Sequence, residues 1–583
     1  MFRVFGQLAW FFKEEWRRYT IAIILLIIVS FIDLMPARLL GLIVDDFQIG
    51  SLTFNKGLAY IGIFLLITIS SYGLTYIWMS KLFGGALVVE RKLRSRFMNH
   101  LLRMDVPFFE KRRTGDLMAQ GTNDLKAVSM TAGFGVLTLV DSIVFMLIIL
   151  GAMIILVDWK LTLAAVAPLP LIGIMISILG IKIHARFTKA QEAFGSLNGR
   201  VLESVAGMRV IRAFRRERHD ENKFLSMSED VYKRNLEVAK IESFFEPVVN
   251  IVVALSYVIG LGYGSYLVFA QQISLGQLIT FNVYLGMMIW PMFAIGELIN
   301  IMQRGSASLQ RVNGTLAVNQ AVPDPTSPVQ PDHQANVSFH QVTFSYPSSD
   351  LNQLKDLTLE IKSGETIGVV GKTGSGKSTL IKQLLKYYPS GKGQFYVGNH
   401  SITEQSKSDV RAKIGYVPQD HILFSKSVRE NILFGKPEAT ESELNEAIRV
   451  SAFEQDLAFL PEGLDTLVGE NGVSLSGGQK QRISIARALI AKPPILILDD
   501  SLSAVDAKTE ATIVSHLREA RKGLTTIITA HRMSAIEQAD QIIVLENGQK
   551  AELGTHPELM NNRGWYFEQV EQQTRGIEVE VNE

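Results

Sequence analysis

Two kinds of hydrophobic pattern divide the chain. The first half carries long apolar runs, whereas the second half alternates short β-branched runs with turns and helical segments. An α-helix needs about 20 predominantly apolar residues to cross a bilayer. Six of the runs meet this length, so the pattern predicts six membrane-spanning helices near Tyr19–Ile43, Leu58–Ser80, Thr131–Val157, Leu161–Ile181, Phe245–Ala270 and Leu278–Ile301.

The loops between the predicted spans differ in length and in charge. The loops after the second and fourth spans are long and rich in lysine and arginine, whereas the other loops are short and carry almost none. The positive-inside rule places the long loops and both termini in the cytoplasm. Both long loops keep a helical period, so we expect the spans to continue as helices beyond the bilayer. Residues 1–18 mix aromatic and basic side chains, which favours an interfacial helix ahead of the first span.

Composition supports two halves of different character. A chain of 583 residues is too long for one ordinary domain. Hydrophobic residues make up 47% and charged residues 20%, while the mean hydropathy is +0.19, as expected when a greasy half is averaged with a soluble one. The net charge of +1 argues against a nucleic-acid partner. The chain has no cysteine, whether by nature or by engineering, which excludes disulfides, thiol nucleophiles and zinc-thiolate sites.

The second half contains a strand, a glycine-rich loop and a helix in direct succession. Thr366–Val370 is apolar, Gly371–Ser378 fits G-x-x-x-x-G-K-[ST], and the residues after Ser378 are compatible with a helix. Amides of such a loop converge on phosphate oxygens, and the helix start adds positive potential. Lys377 would reach the β- and γ-phosphates, and Ser378 would ligate Mg²⁺. The segment predicts a nucleotide site formed by Gly371, Lys372, Thr373, Gly374, Ser375, Gly376, Lys377, Ser378 and Thr379.

A proline-rich stretch separates the halves. Four prolines within residues 323–331 prevent a helix and favour an extended linker. The predicted fold class is therefore an α-helical membrane domain with six transmembrane helices and long cytoplasmic extensions, followed by an α/β P-loop NTPase domain. The predicted boundaries are 1–320 for the membrane domain, 321–336 for the linker, 337–575 for the nucleotide domain and 576–583 for an acidic tail.

A second motif, LSGGQ, carries a family resemblance. Ser476 and the amides of the two following glycines, at a helix start, can face a phosphate. With the P-loop before it and an apolar strand ending in Asp499 after it, the motif resembles the signature of ABC transporters. The six spans resemble the exporter class, and the resemblance covers essentially the whole chain. It implies that a partner chain's ATP site is completed by Leu475, Ser476, Gly477, Gly478 and Gln479.

The resemblance also implies roles for residues elsewhere in the second half. Asp499 is expected to hold Mg²⁺ through water, and Gln419 to contact Mg²⁺ and the transmembrane coupling helices. Tyr346 is expected to stack on adenine, with an ordinary strand aromatic as the alternative. His531 is expected to contact the γ-phosphate, with a structural histidine as the alternative. The D-loop of the family corresponds here to Ser503 and Asp506.

One position departs from the family pattern. In the family, the aspartate that corresponds to Asp499, called the Walker B aspartate, is followed directly by a glutamate that polarises the attacking water. This chain has Asp500 in that position. The aspartate carboxylate is withdrawn by roughly 1.5 Å, one C–C bond. A catalytic group misplaced by about 1 Å can cost on the order of 100-fold in rate. We therefore expect this chain to bind ATP and Mg²⁺ and to hydrolyse ATP slowly, unless Asp500 relaxes toward the water and compensates.

The resemblance implies a dimer, because ABC proteins sandwich each ATP between two nucleotide domains and this chain has one. A homodimer would carry Asp500 in both sites, so we expect a heterodimer with a second half-transporter that has the catalytic glutamate. The expected function is ATP-driven export of amphiphilic compounds across a bacterial cell membrane by alternating access. The alternatives are a lipid flippase and an ATP-gated regulatory or channel subunit. An importer is disfavoured because its spans usually lie on a separate chain.

The predicted spans contain side chains that suggest a substrate cavity. Ionisable groups within a membrane usually face a cavity or pair between helices. Those of this chain are Asp33, Arg38, Asp141, Glu246 and Glu297. The sixth span offers adaptable side chains that suit apolar ligands or core packing equally well, namely Tyr284, Met287, Met288, Trp290 and Phe293.

Overall fold

A computed structural model describes residues 3–330, 332, 334–469 and 475–581. The described residues fall into two compact units, one made of Met1–Leu102 and Thr114–Val318 and the other of Arg103–Arg113 and Asn319–Glu583. Pro331 and His333 of the predicted linker, and residues 582–583 of the predicted tail, lie outside the described residues.

The first unit is helical. Six helical stretches of its described residues are long and apolar enough to cross a membrane, as the sequence predicted: Trp16–Gln48, Phe54–Arg103, Thr114–Leu156, Trp159–Ala206, Glu217–Phe269 and Leu275–Leu316. The individual α-helices are Arg3–Gln7, Ala9–Glu14, Trp16–Ile32, Met35–Gln48, Phe54–Arg103, Thr114–Ala119, Leu125–Ala132, Phe134–Val140, Met146–Leu156, Trp159–Val166, Pro170–Ala206, Met208–Ala213, Glu217–Phe269, Leu275–Met287 and Ile289–Leu316. Two π-helical turns, Gln120–Asp124 and Asp141–Phe145, interrupt the third stretch.

The longest helices extend well past the hydrophobic segments that predicted them. Phe54–Arg103 has 50 residues and Glu217–Phe269 has 53. At 1.5 Å per residue each is about 75–80 Å long, more than twice the ~30 Å hydrocarbon core. The charged loops therefore continue the helices, as their periodicity indicated.

Glycine allows two helices of the first unit to approach closely. A Cβ on Gly41 would lie 2.5 Å from the carbonyl oxygen of Gly276, and a Cβ on Gly276 would lie 2.0 Å from that of Gly41. Small residues at such crossings allow backbone contact between membrane helices. The adjacent carboxylate of Asp45 accepts hydrogen bonds from the amide of Gly276 (2.7 Å) and the hydroxyl of Ser274 (2.6 Å). The crossing is therefore fixed by both packing and hydrogen bonds.

The second unit is an α/β domain with two sheets. Its strands are β1 Val337–Ser345, β2 Asn352–Ile361, β3 Thr366–Val370, β4 Lys392–Val397, β5 His400–Ser401, β6 Ile414–Val417, β7 Ile495–Asp499, β8 Thr525–Thr529, β9 Gln541–Glu546 and β10 Gln549–Gly554. The α-helices are Val106–Glu110, Lys377–Leu384, Lys407–Ala412, Val428–Leu433, Glu441–Val450, Glu454–Leu457, Gly477–Leu489, Ala507–Ala520, His556–Asn562 and Trp565–Val581. Among the described residues of this unit, two short 3₁₀ turns are Gly463–Asp465 and Met533–Ala535.

The larger sheet positions the chemistry. Its order is β10-β9-β3-β8-β7-β6, and all pairs except β10-β9 are parallel. The strands β7 and β8 are buried along their whole length, as expected for parallel strands covered on both faces. Parallel strands end at one edge, where such sheets bind ligands. The P-loop, the Asp499–Asp500 pair and His531 all follow strands that end at this edge. A smaller antiparallel sheet has the order β2-β1-β4-β5.

Residues 103–113 group with the second unit, although the sequence analysis placed them within residues 1–320. The Lys407 ammonium donates to the Asp105 carboxylate (2.9 Å) and the Val322 carbonyl (2.7 Å), and the amide of Val322 donates to Asp105 (2.8 Å). The hydroxyl of Tyr388 donates to the Glu110 carboxylate. The resemblance to exporters predicts that the loop segment Phe108–Asp116 presents a short coupling helix to a nucleotide domain. The helix Trp565–Val581 likewise runs through most of the segment predicted as an acidic tail.

Candidate nucleotide-binding site

The glycine-rich loop after β3 has the backbone that its sequence predicts. Gly371, Gly374 and Gly376 have φ values of +146°, +84° and +108°. A Cβ on Gly371 would lie 2.1 Å from the Leu545 carbonyl oxygen, so this position excludes any side chain. Gly376 directly precedes the helix Lys377–Leu384. The first amides of that helix have no acceptor within it and so remain available to an anion.

Two buried side chains make this loop a candidate phosphate site. The hydroxyl of Ser375 is buried and makes no hydrogen bond within the described part of the chain. An orphaned buried hydroxyl is costly unless a ligand satisfies it. The ammonium of Lys377 donates to the carbonyls of Gly371 (2.6 Å) and Lys372 (3.2 Å). Burial lowers the pKa of Lys377, and the carboxylates of Asp499 and Asp500 partly oppose that shift. The loop therefore fits a polyphosphate.

Asp499 lies at the centre of a hydrogen-bonded group at the strand ends. Its carboxylate accepts from the hydroxyls of Ser378 (3.3 Å), Thr529 (2.9 Å) and Tyr416 (3.4 Å). The parallel register of β7 and β8 pairs Asp499 with Thr529. Burial raises the pKa of Tyr416, so its hydroxyl remains a donor at neutral pH. The carboxylate of Asp499 and the hydroxyl of Ser378 are the hard oxygen donors that Mg²⁺ prefers.

Asp500 has a left-handed backbone, with φ +49°. Its amide donates to the carbonyl (3.1 Å) and the hydroxyl (2.9 Å) of Thr529, which fixes this conformation. The carboxamide of Gln419 donates to the Asp500 carboxylate at 3.3 Å. Burial raises the pKa of the Asp500 carboxyl, with Asp499 acting in the same direction and His531 and Lys377 opposing it. The structure thus places Gln419 in contact with Asp500, and His531 close enough to affect the pKa of Asp500.

Tyr346 follows β1 and belongs to a small aromatic group. Its hydroxyl lies 3.0 Å from that of Thr379, in the helix that follows the P-loop. Its ring meets the ring of Tyr388 edge-on at 4.9 Å between centroids, and the ammonium of Lys382 lies 5.7 Å from its centroid. The side chain is half-buried. An aromatic ring held beside the P-loop in this way is suited to stacking on a base, the role expected for Tyr346.

The LSGGQ motif begins the 13-residue helix Gly477–Leu489. The Ser476 hydroxyl accepts from the amide of Gln479 (3.2 Å), and the Gln479 carboxamide oxygen accepts from the amide of Ser476 (3.0 Å). This capping box leaves the Ser476 hydroxyl proton free to donate. The helix is anchored by Arg482, which donates to Asp456 at 2.6 and 2.8 Å. Ser476 and Gly477 are exposed, so the Ser476 hydroxyl is accessible as a donor.

The D-loop residues make local contacts. Asp506 caps the helix Ala507–Ala520 by accepting from the amides of Lys508 (3.1 Å) and Thr509 (3.0 Å). The Ser503 hydroxyl donates to the carbonyl of Asp500 (3.0 Å). The exposed side chain of His531 follows β8 at the same sheet edge as Asp500. The structure therefore brings most predicted residues of the nucleotide site to this edge, and the glycines of the LSGGQ motif lie beside Ala504 of the D-loop segment.

Sequence reasoning missed Thr529 and Tyr416, which hold Asp499. Both lie on strands flanking β7: Thr529 pairs with Asp499, and Tyr416 pairs with Ile497, two positions before Asp499. Neighbouring parallel strands end together, so polar residues at the ends of Ile414–Val417 and Thr525–Thr529 were a usable signal. Thr529 belongs to no short motif, and Tyr416 begins the segment Tyr416–Gln419 that was interpreted only for Gln419.

A unit of six membrane spans followed by a P-loop ATPase unit with an LSGGQ helix defines a transporter driven by ATP. Residues 19–292 match the family described as the ABC transporter transmembrane region, and residues 354–503 match the family described as ABC transporter. The fold is similar to the structure of a bacterial Atm1-family ABC exporter with ATP bound, with a TM-score of 0.77 and 25% identity. The alignment covers 96% of this chain and 98% of the other.

Whole-chain relatives agree with the fold. The chain is 57% identical over 573 residues to the probable multidrug resistance ABC transporter ATP-binding/permease protein YheI of Bacillus subtilis (strain 168), covering 98% of both chains. It is 41% identical over 565 residues to the multidrug resistance-like ATP-binding protein MdlA of Escherichia coli (strain K12), covering 97% of this chain and 95% of the relative. The chain belongs to the ABC transporter family, as a multi-pass membrane exporter that binds ATP and couples its hydrolysis to transport. The predicted resemblance and fold class are confirmed.

Proposed function

We propose that this chain is the degenerate-site half of a heterodimeric exporter of amphiphilic compounds. The observation that carries the proposal is Asp500, one methylene shorter than the glutamate of the family, at the end of a strand whose other site residues are intact. Both relatives described above have multidrug resistance in their names, which supports the substrate class. The protein spans a bacterial cell membrane. Its nucleotide site and both of its termini lie on the cytoplasmic side.

The geometry supports a role for each residue of this site. The P-loop amides, Ser375 and Lys377 bind the phosphates, and Tyr346 stacks on the adenine. Mg²⁺, when bound with ATP, neutralises phosphate charge, and Ser378, Gln419 and Asp499 would hold it, Asp499 through water. His531 donates to the γ-phosphate. Asp500 orients the attacking water poorly, because its carboxylate is short and is held by the Gln419 carboxamide at 3.3 Å.

A heterodimer follows from the same residue. In a homodimer both sites would contain Asp500, and both would be slow. A partner with an intact glutamate instead pairs its own P-loop with the LSGGQ helix of this chain, whose capping box and Asp456 anchor are complete. The transporter then has one slow site, which mainly binds ATP, and one fast site. Hydrolysis at the fast site resets the alternating-access cycle.

A cavity in the membrane unit suits amphiphilic substrates. It has a volume of about 1060 Å³ and is lined by aromatic rings and a few polar groups, among them Phe187, Phe245, Trp290, Phe293, Glu297 and Arg304. The rings of Phe245 and Phe293 are 6.1 Å apart. Mostly apolar walls with few polar groups are typical of small-molecule sites. In contrast, Met288 is buried in the helical core, so packing explains it.

Transport into inverted membrane vesicles tests the proposal. Vesicles containing this chain and its partner should accumulate cationic and neutral amphiphilic dyes when ATP is added, and the same dyes should stimulate ATP hydrolysis. Stimulation by lipid alone would favour a flippase. Ion conduction that requires ATP binding without turnover would favour a channel or regulatory subunit. Either of these results would contradict drug export.

Replacing Lys377 with alanine should weaken ATP binding at this chain's P-loop and leave turnover at the other site. A hydrogen bond to a charged group contributes about 1.5–3 kcal/mol, so affinity should fall roughly 10- to 150-fold. Photolabelling of this chain with 8-azido-ATP measures the affinity. The exposed Lys362 provides a matched control, Lys362→Ala. Complete loss of hydrolysis while the partner still binds ATP would show that the two sites are coupled too tightly for this account.

A further inference from the structure

Two side chains from other elements hold the four residues that follow Ala530, and each of the four residues makes one hydrogen bond to one of these side chains. We refer to His531–Ser534 as the switch loop. The carbonyl of His531 accepts from the Gln573 carboxamide nitrogen (2.8 Å), and the amide of Met533 donates to the Gln573 carboxamide oxygen (2.9 Å). The guanidinium of Arg532 (3.0 Å) and the hydroxyl of Ser534 (2.7 Å) both donate to the carboxylate of Glu510.

Gln573 binds main chain on both sides of Arg532. The oxygen and the nitrogen of its carboxamide bind backbone groups that lie two residues apart. This pair of hydrogen bonds restrains both the position and the orientation of the loop backbone. Gln573 lies on the helix Trp565–Val581, more than 30 residues after the loop in sequence. This helix carries none of the nucleotide-binding motifs, so its contact with the loop is an additional feature of the site.

Glu510 restrains the loop from a different element, the helix Ala507–Ala520. It is 2% exposed, and a buried carboxylate requires partners such as Arg532 and Ser534. The same Arg532 nitrogen donates to the carbonyl of Val505 at 3.0 Å, beside the D-loop. Glu510 lies on the helix that Asp506 caps. The switch loop is thus tied to the D-loop helix as well as to the C-terminal helix.

Within the residues that the structure describes, the main chain of His531 is held by a hydrogen bond, whereas its imidazole ring is not. The side chain is exposed, and in the described part of the chain its ring takes part in none of the hydrogen bonds. We propose that Gln573, together with Glu510, is a positioning residue that fixes the main chain of the switch loop so that the His531 ring reaches the γ-phosphate. This inference rests on the role proposed above for His531. A displacement of about 1 Å in a catalytic group can cost on the order of 100-fold in rate.

The test uses the assembled transporter with the Asp500→Glu substitution, so that this chain's site contributes to turnover. Gln573→Met keeps the length and volume of the side chain and removes both hydrogen bonds. Gln572→Met is the matched control, because Gln572 is an exposed neighbour on the same helix whose only described bond is to Gln569. This chain is photolabelled with 8-azido-[γ-³²P]ATP, and the loss of its label reports hydrolysis at its own site. The KM for ATP is measured separately from the total turnover of the transporter.

Gln573→Met should slow label loss at least about 10-fold with KM unchanged within about twofold, whereas Gln572→Met should have no effect. In a His531→Ala background, residual turnover comes from the partner's site, and Gln573→Met should not lower it further. A Gln573→Met protein that behaves like Gln572→Met would overturn the inference. So would an equal loss with and without His531, because that result indicates general structural damage.

Failure of Asp500→Glu to raise turnover would contradict the proposed asymmetry and not this inference. The comparison of Gln573→Met with Gln572→Met is then made in the unmodified protein, at the rate of label loss that this chain shows there. Slower hydrolysis of Gln573→Met alone still supports the positioning role, and equal rates still overturn it.

Discussion

Replacing Ser476 with aspartate should lower ATP hydrolysis by the assembled transporter about 10²–10³-fold, although no catalytic base is touched. Aspartate is a good N-cap, so the helix Gly477–Leu489 should keep its start. The substitution replaces a hydroxyl that is free to donate with a negative charge facing the γ-phosphate. A steady-state assay of phosphate release measures the effect. Thr440→Asp, at the exposed capping box of Glu441–Val450, is the matched control.

The same substitution in the partner's LSGGQ motif should have a smaller effect. That motif completes the slow site, which contains Asp500, whereas Ser476 completes the partner's fast site. Both variants are made in the same complex, so differences in expression and membrane environment have little effect on the comparison of their hydrolysis rates. Equal losses from the two motifs, or a fully active homodimer of this chain, would remove the case for unequal sites.

Replacing Asp500 with glutamate should raise hydrolysis at this chain's site by up to about 100-fold. The extra methylene returns the carboxylate to the reach of the family glutamate. Total turnover should rise up to about twofold, because a second site of similar rate joins the first. Rates of phosphate release from the purified transporter, with and without the substitution, measure this gain. An unchanged or lower rate would show that the geometric explanation of this site is wrong.

The left-handed backbone at Asp500 adds an effect on stability. Aspartate and asparagine tolerate a φ of +49° better than most residues, so glutamate should destabilise the domain by about 1 kcal/mol. Asp500→Asn keeps a backbone-tolerant residue and removes the charge. It should abolish the remaining hydrolysis at this site without that loss of stability. Thermal unfolding of the three proteins thus separates the reach of the carboxylate from backbone strain.

The sequence predicted those features that depend on local pattern. Six apolar runs predicted six spans, and the register of Gly371–Ser378 predicted the loop that the structure shows. The ends of helices such as Phe54–Arg103 were not predictable from hydropathy, because the amphipathic extensions outside the bilayer no longer need continuous apolar sequence.

Features that depend on tertiary contacts were missed. Thr529 holds Asp499 through the register of two strands, and Gln573 reaches the switch loop from a distant helix. In the sixth span, composition could not distinguish Trp290, which lines a cavity, from Met288, which is fully buried. Such differences arise from packing, which a single sequence does not display.

The central claim is that this chain's site binds ATP and hydrolyses it slowly while the partner's site turns over. The most direct test incubates the transporter with 8-azido-ATP under turnover conditions, crosslinks it with light and separates the two chains. With label on the α-phosphate, both chains should be labelled. With label on the γ-phosphate, this chain should remain labelled and the partner should not. Loss of the γ-label from both chains at the same rate would contradict the claim.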